Sequence, residues 1–496
     1  MLLKLLIILN IALSTLVYPF LTTAQSPAAA SGQTAYNVVF TPTFGGTDSH
    51  IFRDGAHVLN NAGTLIGSAD TAQPDPYPEN CFNDGDCHIA RAFSFRRGQT
   101  TNLGSMPGGA NSETSWITPN GLIAGNSQNG MKDPLSGDWN MHGVLWKHGE
   151  LIDLGTLDGG HLSIASAVNS SGEVVGLSLN STQDPYSIWG FYQTRAYLWK
   201  DGVMRDLGTL GGPDAVAVRI NEMGQIAGSS YTSFTPSGPC GLVTGAFLWE
   251  DGKMIDLGRF GGTCTTVNDL NNRGQVVGSS LLPGDQLQHP FLWDRGKLID
   301  LGTLGGDFGL ALAINDSGFV VGLAATAENR FHAALWIDGK LIDLRALGID
   351  GCSLASSLNA QGQIVGLSSP DCSFDELTLR AFISENGGPA VDLNSLIPPN
   401  SKVQLRNALF INDRGEIAAV GAFPDGTHGP VLLVPCNGLE TETGGCSNAG
   451  QNLHPQTIQP SSAVPWASDV ASHRPRFPRM WSTAVGKFPH SQPAKD

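Results

Sequence analysis

The sequence predicts an all-β chain: an eight-bladed β-propeller of four-stranded antiparallel blades, its ring closed by the N-terminal strand. Three observations carry this. Eight turn glycines, Gly63, Gly121, Gly172, Gly224, Gly274, Gly318, Gly362 and Gly415, recur 44 to 58 residues apart, the period of four-stranded propeller repeats. The 496 residues hold 62 glycines and only 15 % charged residues with 41 % hydrophobic ones. That balance suits many short strands joined by tight turns and is too poor in charge for a disordered chain. Finally, the two ends of the repeat complement one another: a spare strand precedes the first unit and a strand is missing from the last.

Each unit reads as four strands. The first ends at an asparagine three residues before the turn glycine: Asn60, Asn169, Asn221, Asn271, Asn315, Asn359 and Asn412, with Thr118 as the exception. Asparagine opens such a turn because its side chain bonds the backbone two residues on, and glycine closes it because a left-handed backbone is free of steric cost there. The second strand is the Gln-Val-Val-Gly run, as in Gln275 to Gly278. The third carries consecutive large residues, Phe247-Leu248-Trp249, Phe291-Leu292-Trp293 and Tyr197-Leu198-Trp199. A strand without polar alternation is buried on both faces, which stacked blades supply. A two-residue turn such as Asp251-Gly252 or Asp338-Gly339 leads to the fourth strand, as in Ile255-Asp256-Leu257-Gly258, and is a strong hairpin signal. Tyr36 to Phe40 has the pattern of a lone fourth strand, whereas the last unit stops after its third, Pro430 to Val434. Joining the two removes an exposed edge.

Outside the repeat, residues 1–24 read as a signal peptide, with Lys4, an apolar run from Leu5 to Val17 and small residues Thr22-Thr23-Ala24 before Gln25. Residues 25–35 read as a linker, 36–436 as the repeat domain and 437–496 as a flexible Pro/Ser-rich tail. The expected product is secreted or otherwise extracytoplasmic, with no membrane span once the signal is removed. Export permits disulfides, and the eight cysteines fall into four local pairs: Cys81/Cys87, Cys240/Cys264, Cys352/Cys372 and Cys436/Cys446. The formal charge of -16 disfavours nucleic acid as a partner, since an acidic surface repels phosphate.

The Leu-Trp, Asp-Leu-Gly, Leu-Gly-Gly and Asn-x-x-Gly-Gln-Val-Val-Gly elements, together with starts such as His289-Pro290-Phe291, His332-Ala333-Ala334 and His142-Gly143-Val144, resemble the extracellular HAF repeat family, named for a His-Ala-Phe start. The resemblance spans roughly residues 36–434. It implies an extracellular repeat protein and carries over no catalytic residue, because the family is defined by its repeats.

Chemistry is harder to read. Asp153, Asp206, Asp256, Asp300, Asp343 and Asp392 share one repeat position beside a tight turn, where satisfying the backbone explains them better than a ring of ligands. His142, His289 and His332 likewise share a position. The Gly-Thr-Leu-Gly-Gly stretches lack the Lys-Ser/Thr of a phosphate loop and read as connectors. There is no His-Glu-x-x-His and no Gly-x-Ser-x-Gly elbow. No metal or other cofactor is expected, apart from a weak Ca²⁺ reading for the Cys81–Cys87 loop at Asp84 and Asp86. The loops between second and third strands vary in length while the other hairpin turns are uniform, so one face of the ring is plain and the other carries long loops, where binding evolves. The candidate ligand-binding residues there are Tyr186, Trp189, Tyr192 and Tyr231, with Phe191 and Phe234 nearby. The expected function is a binding or interaction module for an extracellular glycan or protein. The alternatives are a polysaccharide-active hydrolase or lyase on the same scaffold and a purely structural surface protein.

Overall fold

The computed structural model describes residues 34–51, 57–77, 87–133, 137, 139–188, 192–237, 239–348 and 351–436. The leader, the tail and the Cys81–Asp86 stretch with Asp84 and Asp86 lie outside the described residues. The described residues form strands joined by turns and loops, with a single 3-10 turn among them at Leu393–Ser395.

One unit shows how the sequence builds the rest. Ala215–Ile220, Ile226–Pro236, Leu242–Glu250 and Lys253–Asp256 pair antiparallel in chain order. The third and fourth strands meet at Asp251 and Gly252, both with positive φ (49° and 78°), the two-residue turn whose twist matches that of the strands. Successive residues of the third strand, Ala246, Phe247 and Leu248, are all buried. Phe247 packs with Ala167, Val175 and Ala196 of the preceding unit. Ala246 and Leu248 pack with Val267 and Phe291 of the following one. Each sheet is thus a slice between two neighbours, which is why its third strand lacks polar alternation.

The Asn-to-Gly turns do more than reverse the chain. In each Asn turn the side-chain oxygen accepts the N–H groups two and four residues on, as Asn221 does from Met223 (3.1 Å) and Gln225 (2.9 Å). The amide nitrogen is thereby left to reach the next unit. Asn60 donates to the Thr118 carbonyl, Asn169 to Asn221, Asn221 to Asn271, Asn271 to Asn315, Asn315 to Asn359 and Asn359 to Asn412. Thr118 keeps the cap through its hydroxyl, which accepts from Leu122 N–H (2.8 Å), and Asn120 supplies the missing donor to Ser170 O (2.9 Å). Asn412 in turn donates to the carbonyl of Asn60 (3.0 Å), so the last turn in the chain is bonded to the first.

The strands are grouped in seven hydrogen-bonded sheets, six of four strands and one of eight. This differs from the expected set of eight separate sheets. The units at 265–300 and 305–345 are joined by a parallel bridge, Gln288↔Phe308, because the first strand of the second unit, Gly305–Ile314, begins early and runs beside its neighbour. The N-terminal strand Tyr36–Phe40 pairs antiparallel with His428–Pro435, with Val38 opposite Leu433 and Val39 opposite Leu432. It therefore takes the fourth-strand place in the sheet of the last unit.

Two disulfides join Cys240 to Cys264 and Cys352 to Cys372. Cys87 and Cys436 are also disulfide-bonded, and Cys81 and Cys446 lie outside the described residues. The two bridges differ in kind. Cys240–Cys264 ties a loop to the entry of the following unit, whereas Cys352–Cys372 ties a loop to the first strand of its own unit. No helix among the described residues is long and apolar enough to cross a membrane.

Candidate functional site

The two ends of the strands are built differently. At the Asn-turn end, side chains from five units meet. His57 packs against Trp116 (ring centroids 5.0 Å) and edge-on to Phe410 (4.3 Å). The Arg219 guanidinium lies over the Trp116 ring at 5.0 Å and pairs with Asp269 at 3.2 Å. The other oxygen of Asp269 accepts from Ile314 N–H (2.9 Å). Trp116 reaches Arg219 past the intervening unit because that unit presents only Ala167 there. Burial first, and the Arg219 charge with it, lower the His57 pKa to about 4, against the raising effect of its bond to the Ile117 carbonyl.

At the opposite end the second-to-third-strand hairpins fall into two classes. The first four units extend their second strands: Leu65–Pro74, Ile123–Lys132, Val174–Gln183 and Ile226–Pro236. Each ends in an outlying pair, Pro74↔His88, Lys132↔Trp139, Gln183↔Tyr192 and Pro236↔Leu242. The last four are shorter: Val276–Leu281, Val320–Thr326, Gln363–Ser369 and Ile417–Ala422. One half of the molecule therefore stands taller at this end.

The sequence-selected aromatics separate here. Tyr186 is 47 % exposed. Tyr192 is half-buried, its ring 5.9 Å from that of His161. Trp189 and Phe191 lie outside the described residues. Tyr231 is corrected: it is 4 % exposed and packs with Leu177, Val216 and Leu242. The second strand continues past Gly228 to Pro236, so Tyr231 sits in a sheet between two units rather than in a loop. Phe234 is 49 % exposed on the fourth unit's tall hairpin, and Met131, not selected from the sequence, is 58 % exposed on the second unit's. Tyr77 of the first unit stacks on Trp139 of the second, and Lys132 lies 4.8 Å over the same Trp139 ring, so that aromatic pair serves as a clasp between hairpins.

A motif missed in the sequence anchors two of these hairpins. Asp75-Pro76-Tyr77 and Asp184-Pro185-Tyr186 each stand twelve residues past a turn glycine. Each aspartate accepts the N–H of its tyrosine (2.9 Å). Only internal alignment of the loops, beyond the repeated strands, would have found them.

The repeated aspartates are structural, as the sequence suggests. Each accepts a backbone N–H two residues on, as Asp153 does from Gly155, Asp256 from Gly258 and Asp300 from Gly302, all at 2.8 Å. The residue across the hairpin braces the carboxylate: His142, His289 and His332 for Asp153, Asp300 and Asp343, and Arg195 and Arg380 for Asp206 and Asp392. Partial burial pushes the Asp153 and Asp343 carboxyls up, but the histidine and backbone bonds outweigh it and hold both below the usual range. Elsewhere, burial raises Glu113 to about 7, opposed in part by the bond from Asn126 (3.0 Å). Among the described residues no group of three or more His, Cys, Asp or Glu side chains is placed to hold a metal ion.

No family model matches the chain, and no curated protein matches it. Solved structures with a similar course include the β-propeller domain of the Trilobed protease from Pyrococcus furiosus, 8 % identical over 70 % of this chain and 95 % of that one, with a TM-score of 0.40. An acylaminoacyl peptidase from Pyrococcus horikoshii is 12 % identical over 75 % of this chain and 59 % of that one, TM-score 0.37. An ulvan lyase solved with a bound saccharide is 11 % identical over 80 % of this chain and 96 % of that one, TM-score 0.36. At these identities and scores the likeness carries no argument about this chain, whose all-β architecture rests on its own sheets.

Proposed function

We propose that the protein is an exported, closed eight-bladed β-propeller of the HAF repeat type that acts as a binding module through its long-loop end. The observation that carries the reading is the contrast between the two ends. One is occupied by a belt of asparagine bonds and the packed Trp116–Arg219–Asp269 group. The other raises four tall hairpins bearing exposed Met131, Tyr186 and Phe234. Eight blades are supported by the belt, whose eight links return to Asn60, and by the parallel bridge Gln288↔Phe308, which accounts for the two units that share one sheet among the described strands. Closure is supported by the place of Tyr36–Phe40 beside His428–Pro435. Export is supported by the two disulfides, which persist in oxidising compartments. Exposed aromatic rings suit sugar faces or protein contacts, and the acidic balance favours neutral or cationic partners over polyanions.

A glycan array on the mature protein tests this, with Tyr186→Ala and Phe234→Ala as variants. The expected result is binding that both substitutions weaken while the melting temperature stays within a degree or two. Tyr231→Ala is the contrast: it empties a buried site and should cost about 3 kcal/mol of stability. Binding unaffected by both exposed substitutions overturns the site. Release of shortened saccharides would favour the polysaccharide-active alternative.

A further inference from the structure

Two of the tall hairpins are held to the next unit by side chains at one repeat position, seven residues before the turn Asn or Thr. In the second unit that residue is Asn111, and in the fourth it is Asp214; both are fully buried. Asn111 accepts the Ala90 N–H of the preceding unit (2.8 Å), and its amide donates to the buried Asp75 (2.7 Å) and to Gln128 (3.1 Å). Asp214 accepts the equivalent N–H, that of Thr194 (2.8 Å), and also that of Ile188. Asp184, the counterpart of Asp75, is buried as well. Where the first hairpin has an acid bonded to an amide, the third has acids at both matching positions, with the Asp184 charge felt at Asp214.

We infer that Asp214 is a pH-dependent anchor for the hairpin that carries Tyr186 and Tyr192, holding it in acid and loosening its hold as the carboxyl ionises. A protonated Asp214 has the donor and acceptor pattern of the Asn111 amide: it keeps an oxygen for the Thr194 N–H and has a proton to give Asp184, as Asn111 gives one to Asp75. An ionised Asp214 has no donor and confronts a second carboxylate in a buried place.

The groups that face Asp214 come from two units and act in both directions. From the preceding unit come the Thr194 and Ile188 amides, the Ser187 hydroxyl and the Asp184 carboxylate. From its own unit, the Tyr231 N–H donates to the Asp214 main-chain carbonyl (2.9 Å). Burial is the largest influence and raises the Asp214 pKa to about 6; the three donors oppose it and Asp184 adds to it. The folded carboxyl therefore binds its proton more tightly than in the unfolded chain. Its contribution is fully present below the ordinary aspartate range and is lost as pH rises through about 6.

The anchor concerns the same end of the molecule as the proposed binding face, but its test needs no ligand and so fails or succeeds apart from that reading. Hydrogen exchange of the full-length protein is followed from pH 5 to pH 8, corrected for intrinsic rates, at the Ile188 and Thr194 amides, with the Asn111-held Ala90 amide as internal control. The expected result is a fall in Ile188 and Thr194 protection of roughly tenfold across that range, with Ala90 unchanged. In Asp214→Asn, which restores the acid–amide pair, protection should stay high throughout. Equal pH dependence at Ala90 and Thr194, or a flat wild-type profile, overturns the anchor. So does an Asp214→Asn profile that keeps the wild-type slope.

Discussion

The glycine that closes each Val-Val-Gly run has a packing reason that its neighbour in the hairpin turn does not share. A Cβ on Gly228 would sit 2.1 Å from the Val216 carbonyl and 2.6 Å from the Phe247 ring. Gly278 meets Thr266 O at 1.9 Å and Gly366 meets Leu354 O at 2.0 Å. In these three units the third-strand ring, Phe247, Phe291 or Phe382, comes within 3.0 Å of the same Cβ position, so glycine and ring are one feature split across a hairpin. Gly252 is different: it has φ of +78° and open space around it. Gly228→Ala should therefore cost about 3 kcal/mol or more, because first strand and ring must both shift. Gly252→Ala should cost about 1 kcal/mol, for the left-handed backbone alone. Chemical denaturation of both variants checks this. Equal losses would mean that the backbone conformation, and not the Phe247 contact, sets the need for glycine at 228.

At the scale of the element, the Asn-to-Gly turn combines a local cap with a link between units. Asn412→Ala removes acceptors for the Arg414 and Glu416 N–H groups and the donor to Asn60 O, a loss of about 3 kcal/mol. Asn412→Asp keeps the acceptors but removes the donor and sets a second carboxylate beside Glu416, which now accepts from the amide at 2.6 Å. Melting temperatures of the two variants separate cap from link: if Asn412→Asp melts with the wild type, the bond to Asn60 contributes nothing. The turn was legible in the sequence because its cap is made within four residues of the asparagine. The third strands were legible because burial on both faces leaves no polar alternation. What escaped depends on where strands stop and what lies beside them. Tyr231 looked like a loop residue because nothing local marks the second strand's extension to Pro236. The bridge Gln288↔Phe308 hangs on the early start of one strand. Asp214 and Asp184 are thirty residues apart in sequence, and neither looks unusual without the Asn111–Asp75 pair for comparison.

Over the whole molecule, the first and last parts of the repeat are interdependent. Tyr36–Phe40 makes five register pairs with His428–Pro435. Tyr36, 1 % exposed, packs with Ile383, Leu393 and Leu433, and its N–H donates to Leu396 O (2.9 Å). Second links lie at the Asn-turn end, where Asn412 bonds Asn60 and Asp413 N–H donates to the Asn61 side chain (2.9 Å). Deleting residues 36–40 would bare the edge of His428–Pro435 and open the space filled by Tyr36, while leaving the asparagine link intact. Truncating Tyr36 alone would be expected to cost about 3 to 5 kcal/mol, and a bared edge invites pairing between molecules. The deleted protein should thus melt lower and form dimers or larger species, read by calorimetry and light scattering. Supplying the Tyr36 to Phe40 sequence after Pro435 through a two-residue Asn-Gly turn, in a chain that begins at Thr41, should restore both the melting temperature and the particle size of the parent protein, since the strand's place depends on pairing and not on which terminus delivers it. A deletion that keeps the parent's size and melting would show that the asparagine link holds the ends together without the strand. A relocated strand that fails to rescue would tie its role to the N-terminal connection itself.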